Sequence, residues 1–187
     1  MNEMSQKFRN AIARFDAANA EDPDGEALIY AQRMSDWLEK LAPDALEALK
    51  LAARSQHIRR WEIPRDRYPM NRAGYHRWRN DLAAFHAKLA GEILREVGYD
   101  EATVGRVQSL LKKERLKEDP EAQLLEDVIC LVFLEHYFLE FAGKHDEEKV
   151  IGILRKTWRK MSERGHEAAL KLPMDESSRK LVQKALS

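Results

Sequence analysis

The chain has 187 residues, of which 44% are hydrophobic and 34% are charged, and its formal net charge is zero. This length suits a single domain with a buried core, and this composition excludes a disordered chain. No apolar run approaches the roughly 20 residues that a membrane-spanning helix needs, and the zero net charge argues against a protein that coats DNA. We therefore expect one globular domain over residues 1–187.

Apolar residues recur at helical spacing through the first third of the chain. They predict three helices, over residues 4–18, 26–41 and 45–58. The next segment contains Pro64 and Pro69, which prevent residues 61–71 from being helical throughout. This segment is predicted to be a stiff loop.

The same spacing continues beyond the loop. It predicts helices over residues 72–97, 100–113, 120–142 and 146–161, followed by one or two short helices. Asn71 and Asp100 are suitable N-caps, and Gly98 is a suitable stop between them. With only eight glycines and few β-branched clusters, the predicted fold is all-α, a compact globular array of about eight helices.

Positive charge is concentrated in one segment. Residues 51–80 contain eight arginines, no lysine and only two acids, which gives a net charge of +6. The preceding 50 residues have a net charge of −4 and residues 81–187 have −2. Because guanidinium groups bind carboxylate and phosphate through paired hydrogen bonds, this segment is the best candidate for an anion site.

Three side chains are candidates for catalysis. Asp127 lies on the apolar face of its helix, where a carboxylate needs a partner, either an arginine of residues 51–80 or a metal. His57 ends an apolar helix, so it either interacts with the helix C-terminus or belongs to a site. His86 lies between inward-facing leucines and is either a hydrogen-bonded core residue or a further member of the site.

Several residues could bind a phosphate or stack against a base. The predicted ligand-binding set is Arg33, Arg59, Arg60, Arg65, Trp61 and Lys113. The same segment also carries Arg77 and Arg79, interleaved with Tyr68, Tyr75 and Trp78. The alternative is a solvated loop whose arginines pair with acids of residues 1–50.

The order of these features resembles the HD-domain superfamily of helical, metal-dependent phosphohydrolases. The similar stretches are residues 53–60, which end on His57, Arg59 and Arg60, residues 86–94, and residues 125–128 with Asp127. The resemblance covers roughly residues 26–140 and implies an HD-like core, with C-terminal helices over 146–187. It also implies metal-assisted hydrolysis of a phosphorylated compound.

The metal ligands of that superfamily are altered here. Tyr30, Gln56 and His57 stand where the superfamily has His, His and Asp. The resemblance leaves His57 and Asp127 as metal ligands, with a divalent ion (Mn, Fe, Zn or Mg) that is weakly held or absent, because tyrosine and glutamine are poorer ligands than imidazole and carboxylate.

The whole chain also resembles an uncharacterised bacterial and fungal family, catalogued as a domain of unknown function. The similar stretches are residues 56–65, 90–100 and 155–162. Some members carry a glutamyl-tRNA synthetase label. The sequence 160–164 is similar to a synthetase loop, but no nucleotide-binding strand–helix unit precedes it, so the resemblance implies no established activity.

The leading hypothesis is an HD-like helical protein that binds, and could hydrolyse, a small phosphorylated compound such as a nucleotide. The alternatives are a non-catalytic relative that keeps the anion site without the metal, or an RNA-binding module that uses the arginines and aromatic residues. The single cysteine, Cys130, lies among apolar residues, which suggests a reducing compartment, the cytoplasm.

Overall fold

The computed structural model describes residues 5–186, and all regular structure in this part of the chain is helical. The ten α-helices are α1 (Gln6–Ala20), α2 (Glu26–Leu41), α3 (Glu47–Ser55), α4 (Arg72–Glu96), α5 (Glu101–Lys112), α6 (Pro120–His136), α7 (Phe138–Gly143), α8 (Glu147–Lys160), α9 (Glu163–Leu170) and α10 (Glu176–Leu186). Two 3-10 helices, Arg60–Glu62 and Arg65–Arg67, lie between α3 and α4. The all-α prediction is confirmed.

Internal contacts divide the chain into two units, residues 1–122 and 123–187. The predicted single domain over 1–187 stays a prediction. Residue 4, the predicted start of the first helix, and residue 187, the predicted end of the C-terminal helices, lie outside the described residues.

The first unit packs α1, α2 and α5 around α3, and α4 lies against α1 and α5. The short helix α3 is central because Leu49, Leu51 and Ala53 are all fully buried. Arg54 on the same helix donates two hydrogen bonds of 2.7 Å to the carboxylate of Asp16 on α1. This bidentate pair ties α1 to the C-terminal end of α3.

The predicted caps of α4 and α5 are present. Asn71 accepts a hydrogen bond of 2.8 Å from the Gly74 backbone, and Asp100 accepts one of 2.8 Å from Thr103. Gly98 has a φ of 89°, which a side chain would disfavour, and it ends α4. Local capping chemistry therefore sets both boundaries.

The predicted helix over 45–58 is shorter in the structure, because α3 ends at Ser55. Residues 56–59 form a turn, and Arg59 adopts the left-handed conformation with a φ of 48°. A non-glycine residue there costs about 1 kcal/mol, so tertiary contacts must hold it. The Arg59 backbone N–H donates to the Asn19 side chain of α1 at 3.1 Å.

The predicted helix over 120–142 is interrupted at Tyr137, which separates α6 from α7. In the second unit, the ring of Phe133 meets the rings of Phe138 and Phe141 edge to face, with centroids 6.2 and 5.8 Å apart. These three rings cluster at the break between α6 and α7. Hydrophobic periodicity did not reveal this break.

The rest of the second unit consists of α8, α9 and α10, with α8 packed on α10. Val150 and Leu154 of α8 are buried, and the N-caps of α8 and α9 are Asp146 and Ser162. The one or two short helices expected at the end of the chain are present as two helices, α9 and α10. In the described part of the chain, none of the helices has the length and hydropathy needed to cross a bilayer.

Gly74 and Gly105 offer a matched test of packing in the first unit. A Cβ on Gly74 would lie 2.1 Å from the Pro69 carbonyl oxygen, whereas nothing lies within 4 Å of one on Gly105. We expect Gly74→Ala to lower the free energy of unfolding by about 1–3 kcal/mol. Gly105→Ala should raise it by up to ~1 kcal/mol, because alanine is the better helix former.

Denaturant unfolding of both variants measures these changes. A Gly74→Ala protein as stable as the original would mean that the loop before α4 does not lie against the helix start.

Candidate functional site

Two aromatic rings from different elements stack in the first unit. The imidazole of His57, in the turn after α3, lies on the ring of Tyr30 from α2, with centroids 4.3 Å apart and planes within 14°. Tyr30 and His57 are far apart in sequence but occupy positions that the HD resemblance aligns with ligands. The structure brings them together.

His86 of α4 lies beside this stack, with its ring centroid 5.8 Å from that of His57. The side chain is buried, and its Nδ1 is 2.8 Å from the carbonyl oxygen of Ile58. Since a carbonyl only accepts, Nδ1 carries the proton and the neutral ring has its lone pair on Nε2. Nε2 is buried without a hydrogen-bond partner among the described residues.

Positive charge surrounds both imidazoles. Burial lowers the pKa of His57 well below its usual range, and Arg60, His86, Arg79 and Lys113 lower it further. Burial likewise lowers the pKa of His86 to about 3, against the effect of its bond to Ile58. Both rings are therefore neutral at pH 7. We call His57, Arg60, Arg79, His86 and Lys113 the basic cluster.

Arg60 and Arg79 are the two arginines of this cluster, and both are half-buried. Burial lowers the pKa of Arg60, and the nearby charge of Arg79 lowers it further. Neither guanidinium forms an ion pair with a carboxylate of the described residues within 4 Å. Arg60 instead lies over the ring of Trp78, 4.7 Å from its centroid.

The other predicted arginines have different surroundings. Arg59 is paired with Glu62 and, at 2.9 Å, with Glu21. Arg65 donates to the backbone carbonyls of Tyr68 and Pro69 at 3.0 and 2.8 Å, and so fixes the loop before α4. The guanidinium groups of Arg59 and Arg65 therefore already have hydrogen-bond or ion-pair partners within the protein.

The remaining predicted binding residues differ in position. Lys113 caps α5 with a φ of 58° and contributes to the field at His57. Trp61 lies beneath Arg59, whose guanidinium is 5.9 Å from the ring centroid. Arg33 is half-buried one turn after Tyr30 on α2. Of these three residues, only Lys113 belongs to the basic cluster.

Two residues of this arrangement were absent from the predicted site set, namely Tyr30 and Arg79. Arg79 did belong to the arginine-rich segment, and alternation with Trp78 was a signal of its proximity to aromatic residues. Tyr30 was noted only as a replacement for a metal ligand. Periodicity could not reveal its stacking on His57, because that contact joins α2 to a turn 27 residues later.

Asp127 belongs to the second unit and is 1% exposed, as its position on an inward helix face predicted. Its carboxylate accepts hydrogen bonds from the backbone N–H of Ser162 at 2.7 Å, from the Ser162 hydroxyl, and from Gln123 at 3.1 Å. A Cβ on Gly165 would lie 2.7 Å from Oδ1. These partners are neutral, whereas the sequence predicted an arginine of residues 51–80 or a metal.

The described donors near the two imidazoles form no group that suits a metal ion. Within residues 5–186, no three His, Cys, Asp or Glu side chains are grouped so that they could hold one. The two imidazoles also lie among Arg60, Arg79 and Lys113, whose charge opposes a cation. The described residues do not fit a metal centre, and the metal role of His57 and Asp127 stays a prediction.

Fold and site together define an all-helical protein with a basic cluster between α2, α4 and the turn after α3. A family model described as "domain of unknown function (DUF4202)" matches residues 9–182. The chain belongs to this family, as the sequence suggested. No curated protein and no solved structure matches it.

Asp127 has a structural role that mutation can measure. Asp127→Ala would leave the Ser162 N–H and hydroxyl without their buried acceptor, so we expect a loss of about 1–3 kcal/mol in the free energy of unfolding. The control is Asp146→Ala, which removes an exposed N-cap of α8 and should cost about 1 kcal/mol. Denaturant titration compares them, and a smaller loss at Asp127 than at Asp146 would contradict this role.

Metal content provides a second test. We expect the purified protein to contain well below one equivalent of Mn, Fe or Zn and to unfold at the same temperature with and without chelator, since the described donors form no three-ligand group. Elemental analysis and thermal unfolding measure both. A full equivalent of metal that is lost in His57→Ala would overturn this expectation.

Proposed function

We propose that the protein binds a small phosphorylated compound, with a nucleotide as the best-suited class, at the basic cluster. One observation carries the proposal. Arg60 and Arg79 lie close enough for the charge of Arg79 to lower the pKa of Arg60, yet no described carboxylate pairs with either. Two neighbouring cations without a counter-ion favour an anionic ligand.

The contrast with nearby arginines supports this interpretation. Arg54 is paired with Asp16, and Arg59 with Glu21 and Glu62. Arg54 and Arg59, which hold parts of the fold together, thus each have an acidic partner. A phosphate near Arg60 and Arg79 would relieve their mutual repulsion and could accept hydrogen bonds from both guanidinium groups.

The surrounding aromatic residues favour a nucleotide over a bare anion. Trp78 lies under Arg60, and the ring of Tyr75 is 5.8 Å from that of Trp78 and about half exposed. Such rings can stack on a purine or pyrimidine while the arginines bind its phosphate.

The HD resemblance supports the location of the site but not a metal mechanism. It aligns Tyr30 and His57 with ligand positions of that superfamily and His86 with its auxiliary helix, and these three rings are neighbours. Hydrolysis in that superfamily depends on a metal, and the described donors do not fit one. We therefore propose binding as the function, in the cytoplasm, where the protein's only cysteine would stay reduced.

The proposal predicts that guanidinium geometry matters only in the basic cluster. Arg60→Lys and Arg79→Lys keep the charge and lose the planar fork, so we expect adenosine 5′-monophosphate to bind about tenfold more weakly or worse. The control is Arg77→Lys, an exposed arginine on the same helix, which should bind as the original does. Calorimetry measures all four proteins.

Two results would contradict the proposal. One is equal affinity in Arg60→Lys, Arg79→Lys and Arg77→Lys, which would leave only diffuse electrostatic attraction. The other is tight, steeply salt-dependent binding of a single-stranded RNA with none of the mononucleotide, which would indicate an RNA-binding surface instead.

A further inference from the structure

The buried imidazole of His86 has an acceptor without a partner, in a ring whose pKa is affected by the two arginines of the proposed anion site. Its Nδ1 is used by the carbonyl of Ile58, and Nε2, on the other side of the ring, is buried without a partner among the described residues. A buried polar atom left without a hydrogen bond is unfavourable, because it has given up water without gaining a partner. A ligand that donates to Nε2 would supply that partner.

This nitrogen cannot readily become a donor itself. Protonation of Nε2 would place a further positive charge beside Arg60 and Arg79, in a ring that is already buried. Burial lowers the pKa of His57, the neighbouring titratable ring, and the charges of Arg60, Arg79 and Lys113 lower it further, so this ring is neutral too. His86 therefore offers a lone pair in surroundings that otherwise attract anions.

An acceptor beside two cations restricts the ligand. Arg60 and Arg79 attract oxygens that carry charge, whereas Nε2 would repel such an oxygen because both atoms present lone pairs. We propose that the ligand carries an O–H donor next to its charged oxygens and donates it to Nε2 of His86. This inference rests on the proposed function and narrows its ligand class.

Two chemical groups could supply this donor. One is the proton that a phosphate keeps below its second pKa, which is about 6 for phosphate monoesters. The other is an alcohol on the carbon skeleton beside the phosphate, as in a sugar phosphate. Sulfate has neither group and should be a poor ligand despite its higher charge.

The first comparison uses inorganic phosphate and sulfate at pH 6, where phosphate keeps a proton and sulfate does not. The second uses glycerol 3-phosphate and propyl phosphate at pH 8, where both phosphates have lost the proton and only the first compound has alcohols. We expect a preference of about tenfold for the donor-bearing compound in at least one comparison. The comparison that shows it identifies the source of the donor.

The variant for this test is His86→Asn. Its amide nitrogen can replace Nδ1 as the donor to Ile58 while removing Nε2, which protects the fold. His76→Asn, at an exposed position of the same helix, is the matched control. We expect the preference to fall at least severalfold in His86→Asn and to stay unchanged in His76→Asn, measured by calorimetry on protein with an unchanged circular dichroism spectrum.

The outcomes separate the two proposals. If neither these four compounds nor adenosine 5′-monophosphate binds, the proposed function fails. If adenosine 5′-monophosphate binds and none of the four does, the proposed function stands and the inferred role of an O–H donor beside the phosphate is overturned. If all four bind without preference, or if His86→Asn keeps the preference of the original protein, the anion site stands and the role of His86 as an acceptor is overturned. A preference that His86→Asn abolishes and His76→Asn keeps supports the inference.

Discussion

The turn after α3 is held at two points, and the basic cluster depends on both. The Arg59 backbone N–H donates to Asn19 of α1, and the carbonyl of Ile58 accepts from His86 of α4. These bonds hold Arg59 in a left-handed conformation that it would otherwise avoid. Because His57 and Arg60 flank this pair of residues, the same two bonds place the imidazole on Tyr30 and the guanidinium on Trp78.

The distribution of acids gives the first unit two kinds of arginine. Arg54 and Arg106 each bind a carboxylate through two hydrogen bonds, so their charges are compensated inside the fold. Arg60 and Arg79 repel one another instead, and folding must bring them together at an electrostatic cost. Proteins keep such local frustration where a ligand removes it, since binding sites are often unfavourable arrangements in isolation.

Much of the fold follows from local rules that the sequence displays. Periodicity predicted the helices, and capping chemistry predicted the boundaries at Asn71, Asp100 and Gly98, because each depends on residues within one turn. The end of α3 and the break at Tyr137 were not predictable in this way. The first depends on contacts from α1 and α4 to the turn, and the second accompanies a cluster of phenylalanine rings.

The site shows the same division. The charge pattern singled out the arginine-rich segment, but it could not separate Arg59, which pairs with Glu21 and Glu62, from Arg60, which pairs with no carboxylate of the described residues. Helix periodicity correctly placed Asp127 in the interior, yet its partner is Ser162, a residue 35 positions later. The contact between Arg60 and Trp78 has a further consequence. Indole fluorescence responds to nearby charge, so the emission of Trp78 would change if an anion bound at Arg60.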